Sequence, residues 1–140
     1  MDIRKAFDNA LKRMKEKSWE EIYILVDIHD TILKACYYDS ENYEYFPYAK
    51  ECLQLMSNNQ KLKLILWSST YPDVLEKYRK FFASDGIIFD MVNINDRVEN
   101  TELSCIVDKT YFNVGIDDKF GFEPETDWKL LFDFLIIKLC

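Results

Sequence analysis

Two hydrophobic periodicities alternate along the chain. Between residues 2 and 17, Ile3, Phe7, Ala10, Leu11 and Met14 recur at helical spacing with Lys and Arg between them. That spacing predicts an N-terminal amphipathic helix within 1–18. Residues 22–28, Ile-Tyr-Ile-Leu-Val-Asp-Ile, form a short, nearly unbroken apolar run, as expected of a central parallel strand buried on both faces. Residues 29–46 are mixed and rich in Tyr, and read as a loop. Pro47 opens a second helix to about Asn58, with Ala49, Cys52, Leu53 and Met56 on one face. Leu62–Trp67 is a second apolar strand, and Ser68-Ser69-Thr70-Tyr71-Pro72 a turn. From Pro72 a helix carries Val74, Leu75, Tyr78, Phe81 and Phe82 until Gly86 stops it. Residues 87–92 and 111–116 predict two further strands, separated by a polar stretch at 93–101. Glu123-Pro124-Glu125-Thr126-Asp127 supplies capping chemistry for a last helix over about 126–138.

The order is α, β, α, β, α, β, β, α. It predicts an α/β fold with a doubly wound, Rossmann-like, mostly parallel sheet flanked by helices, in a single domain over 1–140. Such sheets bind ligands at the carboxyl ends of their strands. The polar residues at those ends should therefore form one constellation.

Composition narrows the partners. The 140 residues are 49% hydrophobic with only 3 Gly and 3 Pro, which suits one packed core. The net charge is -7, and no basic cluster is dense enough to track a phosphate backbone, so stable duplex nucleic acid is not an expected partner. The four cysteines, Cys36, Cys52, Cys105 and Cys140, form no C-x-x-C pair, and there is one histidine, which argues against a zinc site. Scattered thiols, no signal-like start and no apolar run of membrane-spanning length predict a cytoplasmic chain without a membrane partner.

The strand ends carry the chemistry. The first strand ends in Asp27, the second in Ser68, and the last in Asp117-Asp118, with Lys109 shortly before it. A carboxylate can attack phosphorus to give an acyl phosphate. A second acidic group helps hold a divalent cation that screens nucleophile from phosphate. Hydroxyl, turn N–H and ammonium groups can hold the equatorial oxygens where charge accumulates.

Residues 23–33, Tyr-Ile-Leu-Val-Asp-Ile-His-Asp-Thr-Ile-Leu, resemble the first motif of the haloacid-dehalogenase-like (HAD-like) superfamily, an apolar strand followed by D-x-D-x-T. Leu64-Ile65-Leu66-Trp67-Ser68 resembles the second. Asp108-Lys109-Thr110 followed by Val114-Gly115-Ile116-Asp117-Asp118 resembles the third and fourth run together, at a spacing similar to the 5′-nucleotidase branch. The resemblance covers residues from about 22 to about 120. It implies a HAD-like core and a Mg²⁺-dependent phosphomonoester hydrolase with a phosphorylated small molecule or nucleotide, or a nucleic-acid end, as substrate. Asp27 would be the nucleophile and a metal ligand. His29 would lend its backbone carbonyl to the metal, Asp117 would ligate directly, and Asp118 would act through water or orient its neighbours. Thr31, Ser68, Ser69 and Lys109 would hold phosphate, with Thr31 also stabilising the turn after the first strand.

The family pattern places a second Asp, the general acid and base, where this chain has His29. A neutral imidazole can serve as base for water but is a poorer acid beside a cation. General acid–base help is typically worth on the order of 10²–10⁴ in rate. The substitution implies slow turnover, restriction to good leaving groups, or a catalytically silent module that binds a phosphorylated ligand or protein partner. Neither gap between motifs leaves room for a folded cap, so an open site is expected, fringed by the 29–46 loop. Tyr37, Tyr38, Tyr43, Tyr45, Phe46 and Tyr48 are expected to divide between packing and a wall over the substrate. Leu130, Leu131, Phe134, Leu135, Ile136, Ile137 and Leu139 make the last helix apolar nearly all round, which predicts either burial or a homo-oligomer surface.

Overall fold

Strand β1 (Ile22–Asp27) forms the centre of the sheet, because five of its six residues are apolar and buried. In the computed structural model, which describes residues 2–35, 43–99 and 109–139, it lies between β2 (Leu62–Trp67) and β4 (Val114–Ile116). The short β3 (Met91–Val92) pairs with the outer edge of β2. The sheet order is β3-β2-β1-β4, and every pair is parallel. The helices are α1 (Ile3–Glu16), α2 (Ala49–Ser57), α3 (Pro72–Ser84) and α4 (Pro124–Leu139). The chain winds outward from β1 through β2 to β3, then crosses back over the sheet to β4. This double winding is the doubly wound α/β class expected from the element order.

The sheet's two faces differ. Ile22, Ile24, Val26, Leu62, Leu64, Leu66, Val114 and Ile116 point to one face and share a core cluster with residues of all four helices. Tyr23, Ile65 and Met91 point to the other and pack against Val98 and Tyr111 of the β3-to-β4 crossover. Parallel crossovers are right-handed, so reversing the winding direction moves the connection to the opposite face. That places the described ends of the crossover, at Val98 and Tyr111, over Tyr23 and Ile65.

Element ends depart from the sequence pattern for local reasons. Of residues 87–92 only Met91–Val92 is strand. The Ile88 N–H turns to the Ser57 hydroxyl, and sheet-side bonding begins with Asp90 N–H donating to Leu64 C=O. Of residues 111–116 only the last three pair in the ladder, because the Asn113 amide oxygen takes the Tyr23 N–H. Helix α2 starts at Ala49, two residues after Pro47. Tyr48 precedes it with a φ of 66°, and the tight turn from Phe46 must close first. Helix α4 starts at Pro124, where proline's fixed φ and missing N–H suit a first turn. No described helix is long and apolar enough to cross a membrane.

Candidate functional site at the carboxyl ends of the strands

Register determines what meets at the end of the sheet. Asp27 pairs with Trp67 across β1 and β2, and Val26 pairs with Ile116 across β1 and β4. One step further along, Asp117 stands beside Asp27. Asp118 follows in a 3-10 turn (Asp118–Phe120), whose start Asp117 caps by accepting the Lys119 N–H at 2.9 Å. Carboxylate oxygens of Asp27, Asp117 and Asp118 all lie within 4.8 Å of one another.

Thr31 ties this group together. The chain turns sharply after β1: the N–H groups of Ile32 and Leu33 donate to Ile28 C=O, and Asp30 sits at a φ of 59°. Aspartate tolerates that left-handed conformation better than most residues. The turn brings the Thr31 hydroxyl to Asp27, to which it donates at 3.1 Å, while it accepts the Asp118 N–H at 3.1 Å. The Thr31 carbonyl in turn accepts the Trp128 indole N–H at 2.7 Å, in the core beneath α4. Thr31 is fully buried, so its hydroxyl has no surface left for a substrate oxygen. It positions two carboxylates.

The electrostatics follow from crowding. Partial burial pushes the Asp27 carboxyl up to about 6, and the Asp117 charge adds to the rise; the Thr31 hydrogen bond opposes it. Burial also raises Asp117, against the Lys119 N–H that favours its charged form. Three carboxylates this close repel one another, and a cation between them removes the repulsion. Their all-oxygen donor set suits a hard divalent ion, whose ligands sit at ~2.1 Å for Mg²⁺. Oxygens within 4.8 Å of one another can reach such an ion with small side-chain rotations.

The remaining expected residues are placed as follows. Ser68 immediately follows β2, with its hydroxyl donating to the Thr70 hydroxyl at 2.8 Å and accepting the Thr70 N–H. Ser69 is exposed. Lys109 is exposed and makes no ion pair with a described residue. Its neighbour Thr110 donates to Asn93 C=O at 3.1 Å, which holds this segment at the same end of the sheet as Ser68. His29 lies partly buried, with Nε2 3.1 Å from the Tyr78 hydroxyl and its ring edge-on to that of Tyr78. Its side chain is not among the clustered metal-binding groups. Tyr43 and Tyr45 stack on Phe81 of α3, and Tyr48 meets Phe132. These three pack against helices; Tyr37 and Tyr38, like Asp108, lie outside the described residues.

Asn93 was only part of a polar stretch in the sequence, yet it shapes the site. Its side chain accepts the Ser68 N–H and donates to the Ser68 carbonyl, both at 2.8 Å, and its φ is 57°. An Asn directly after a strand, tolerant of left-handed backbone, was the available signal. A cleft of about 560 Å³, lined by Trp19, Glu21, Tyr23, Arg97, Tyr111 and Asn113 among others, opens at the amino-terminal end of the strands, away from the carboxylates.

No protein-family model matches this chain, and no curated protein does. A solved structure, that of a conserved protein coded by a locus from Bacteroides thetaiotaomicron, is similar to it. The two share 26% identity over 86% of this chain and 93% of that one, with a TM-score of 0.64.

Proposed function

We propose that this chain is a HAD-like phosphomonoester hydrolase, dependent on Mg²⁺, that works through a phosphoryl group carried on Asp27. The observation that carries this reading is the meeting of Asp27, Asp117 and Asp118 at the carboxyl ends of two adjacent parallel strands. In the reaction an Asp27 oxygen attacks phosphorus, and the P–O bond to the leaving group breaks. The alkoxide so released takes a proton from the incoming water, and the hydroxide so formed attacks the phosphorus of the acyl phosphate to return the Asp27 carboxylate and inorganic phosphate. Asp27, Asp117 and Asp118, with the His29 carbonyl, would hold Mg²⁺, which when bound would supply charge neutralisation between nucleophile and phosphate. Thr31 holds Asp27 and Asp118 at fixed separation. Ser68, Ser69 and Lys109 accommodate the phosphate oxygens. The reading also assigns the chain to the cytoplasm, where its buried Cys52 thiol stays reduced.

The test is turnover of an aryl phosphate and a nucleotide panel with Mg²⁺, against an Asp27→Asn control. Hydrolysis that vanishes in the variant is expected; equal rates in both would end the proposal.

One observation favours a second reading. The His29 Nε2 is engaged by Tyr78, a residue only 1% exposed. A ring held there is poorly free to hand a proton to a leaving group, which fits a slow enzyme or a module that binds phosphorylated ligands without turning them over. Beryllium fluoride with Mg²⁺ separates the two: an adduct on Asp27 supports the hydrolase, and metabolite binding without an adduct supports the module. The apolar face of α4, where Ile137 is 77% exposed, is the surface through which this reading allows a homo-oligomer.

A further inference from the structure

We propose that Trp67 is the platform on which this site seats its substrate's leaving group, and that this group carries a flat aromatic ring. The inference rests on the phosphate-site reading above and adds to it a specificity-determining residue and a substrate class.

Register supplies the first argument. Trp67 and Asp27 are direct partners on adjacent parallel strands, so their side chains leave the same face of the sheet. Neighbouring strands lie ~4.8 Å apart. With Asp117 beside Asp27 on the β4 side, the row across the sheet end runs Asp117, Asp27, Trp67. The cation-binding group flanks the nucleophile on one side and an indole flanks it on the other. Trp67 also immediately precedes Ser68, so the ring borders the place proposed for phosphate.

Exposure supplies the second. Leu64, Ile65 and Leu66 are fully buried, whereas Trp67, next in the same strand, is 37% exposed. Its ring pairs with no described aromatic side chain, and its indole N–H donates to no described residue. Of the other aromatics near this end, Tyr43 and Tyr45 pack on Phe81 and Tyr78 on His29, while the exposed Tyr71 and Phe120 lie in the turns beyond the strands rather than in the row beside Asp27. A large ring left partly in water beside a proposed nucleophile is surface a ligand can cover. A flat ring covers it best, since stacking of a base on an aromatic side chain is worth ~1–3 kcal/mol and tolerates many ring types.

Charge supplies the third. A chain of net charge -7 repels a long phosphate polymer. The fitting class is therefore a small monoester, aryl or nucleoside.

Phenylphosphonate and methylphosphonate carry the same anionic head without a cleavable ester. Their affinities with Mg²⁺ are measured by calorimetry on the natural chain, Trp67→Phe and Trp67→Leu, each checked for folding by circular dichroism. Phenylphosphonate should bind the natural chain about tenfold tighter, a ratio within the range of one stacking contact. Trp67→Phe should keep a preference. Trp67→Leu, which retains apolar bulk without a π face, should lose it. Equal binding of the two ligands to the natural chain, or a preference that survives in Trp67→Leu, overturns the platform and leaves the phosphate site standing. Failure of both ligands to bind overturns the platform and the phosphate site together. The phosphonate isosteres of adenosine 5′-monophosphate and ribose 5-phosphate then locate the ring. A Trp67-dependent gain from adenine identifies a nucleoside ester. A Trp67-dependent gain with phenyl alone identifies a ring directly on the ester oxygen.

Discussion

The two faces of the sheet are built from alternate residues of the same strands, and they do opposite work. Ile24, Val26, Leu64 and Leu66 are completely buried under helices. Their neighbours Leu25, Asp27, Ile65 and Trp67 begin equally apolar and end in a carboxylate and a half-covered indole. One parity makes the fold stable. The other turns from packing to a carboxylate and a partly exposed indole in its last step, where the chain leaves the sheet and water is in reach. A strand's period of two thus lets six residues serve both ends without either compromising the other.

The most direct way to break this division is on the helix-covered face. Leu64→Ala removes a fully buried side chain from the core cluster and should cost about 3 kcal/mol, the middle of the usual range for such a truncation. Chemical denaturation would show it as a lower midpoint with an unchanged slope. A loss under about 1 kcal/mol would mean that this face collapses easily and is not the rigid one.

Thr31→Val comes next, because it acts at the junction of the two faces. Valine keeps the shape but leaves the Asp118 N–H without its 3.1 Å acceptor and Asp27 without its donor. An unsatisfied partly buried donor costs about 1–3 kcal/mol. Loss of the hydrogen bond that opposes its rise should also push Asp27 further up. Thr31→Ser should restore most of both. If Val and Ser behave alike in denaturation, the hydroxyl is not what holds the carboxylates.

On the chemical face the sign should reverse. The Asp27 carboxyl sits at about 6 in the folded chain, above its ordinary 3.8. The folded state therefore holds this proton more tightly than the unfolded state, and stability falls as pH rises between those two values. Without divalent cations, Asp27→Asn should stabilise the chain by about 1–2 kcal/mol at pH 7.5 and by almost nothing at pH 4. Added Mg²⁺ should stabilise the natural chain and not the variant. Thermal unfolding at both pH values, with and without Mg²⁺, reads all four arms. A natural chain more stable than the variant at pH 7.5 without metal would show that the carboxylates are not crowded.

The same division explains how much could be read from sequence. Apolar runs and prolines at helix starts gave the order of elements, the parallel sheet and the strand ends at Asp27, Ser68 and Asp117, because hydrophobic period and turn chemistry are local. The convergence of Asp27, Asp117 and Asp118 followed from topology. What did not show were contacts between segments far apart in the chain. The Asn113 amide replaces one β4 ladder bond, Asn93 clamps Ser68, and Tyr78 takes the His29 ring. Each is a side chain competing for a partner some 25 to 90 residues away. The Tyr-rich segment is similar: Tyr43 and Tyr45 pack on Phe81 of α3 and Tyr48 on Phe132 of α4, partners that composition alone could not locate.

The smallest expected effect tests how far the chemical face depends on the packing just beneath it. Gly115 pairs with Leu25, one step below the aspartates. A Cβ there would stand 2.8 Å from Phe120 Cε2 and 3.2 Å from Phe112 Cε2. Alanine in a strand is ordinarily better than glycine by roughly 0.5–1 kcal/mol, since glycine loses more backbone freedom on folding. Here that gain opposes a contact that real Cβ atoms do not make. Phe120 is 47% exposed and can swing, but it closes the 3-10 turn that begins at Asp118. Gly115→Ala should therefore lower stability by only about 1 kcal/mol, and it should weaken Mg²⁺ binding by disturbing Asp118. A double-mutant cycle isolates the cause. With Phe120→Ala present the 2.8 Å contact is gone, only the 3.2 Å contact to Phe112 remains, and Gly115→Ala should become close to neutral. A coupling near zero would mean that the glycine serves the strand rather than the ring above it, and that the carboxylates are insulated from the face on which they stand.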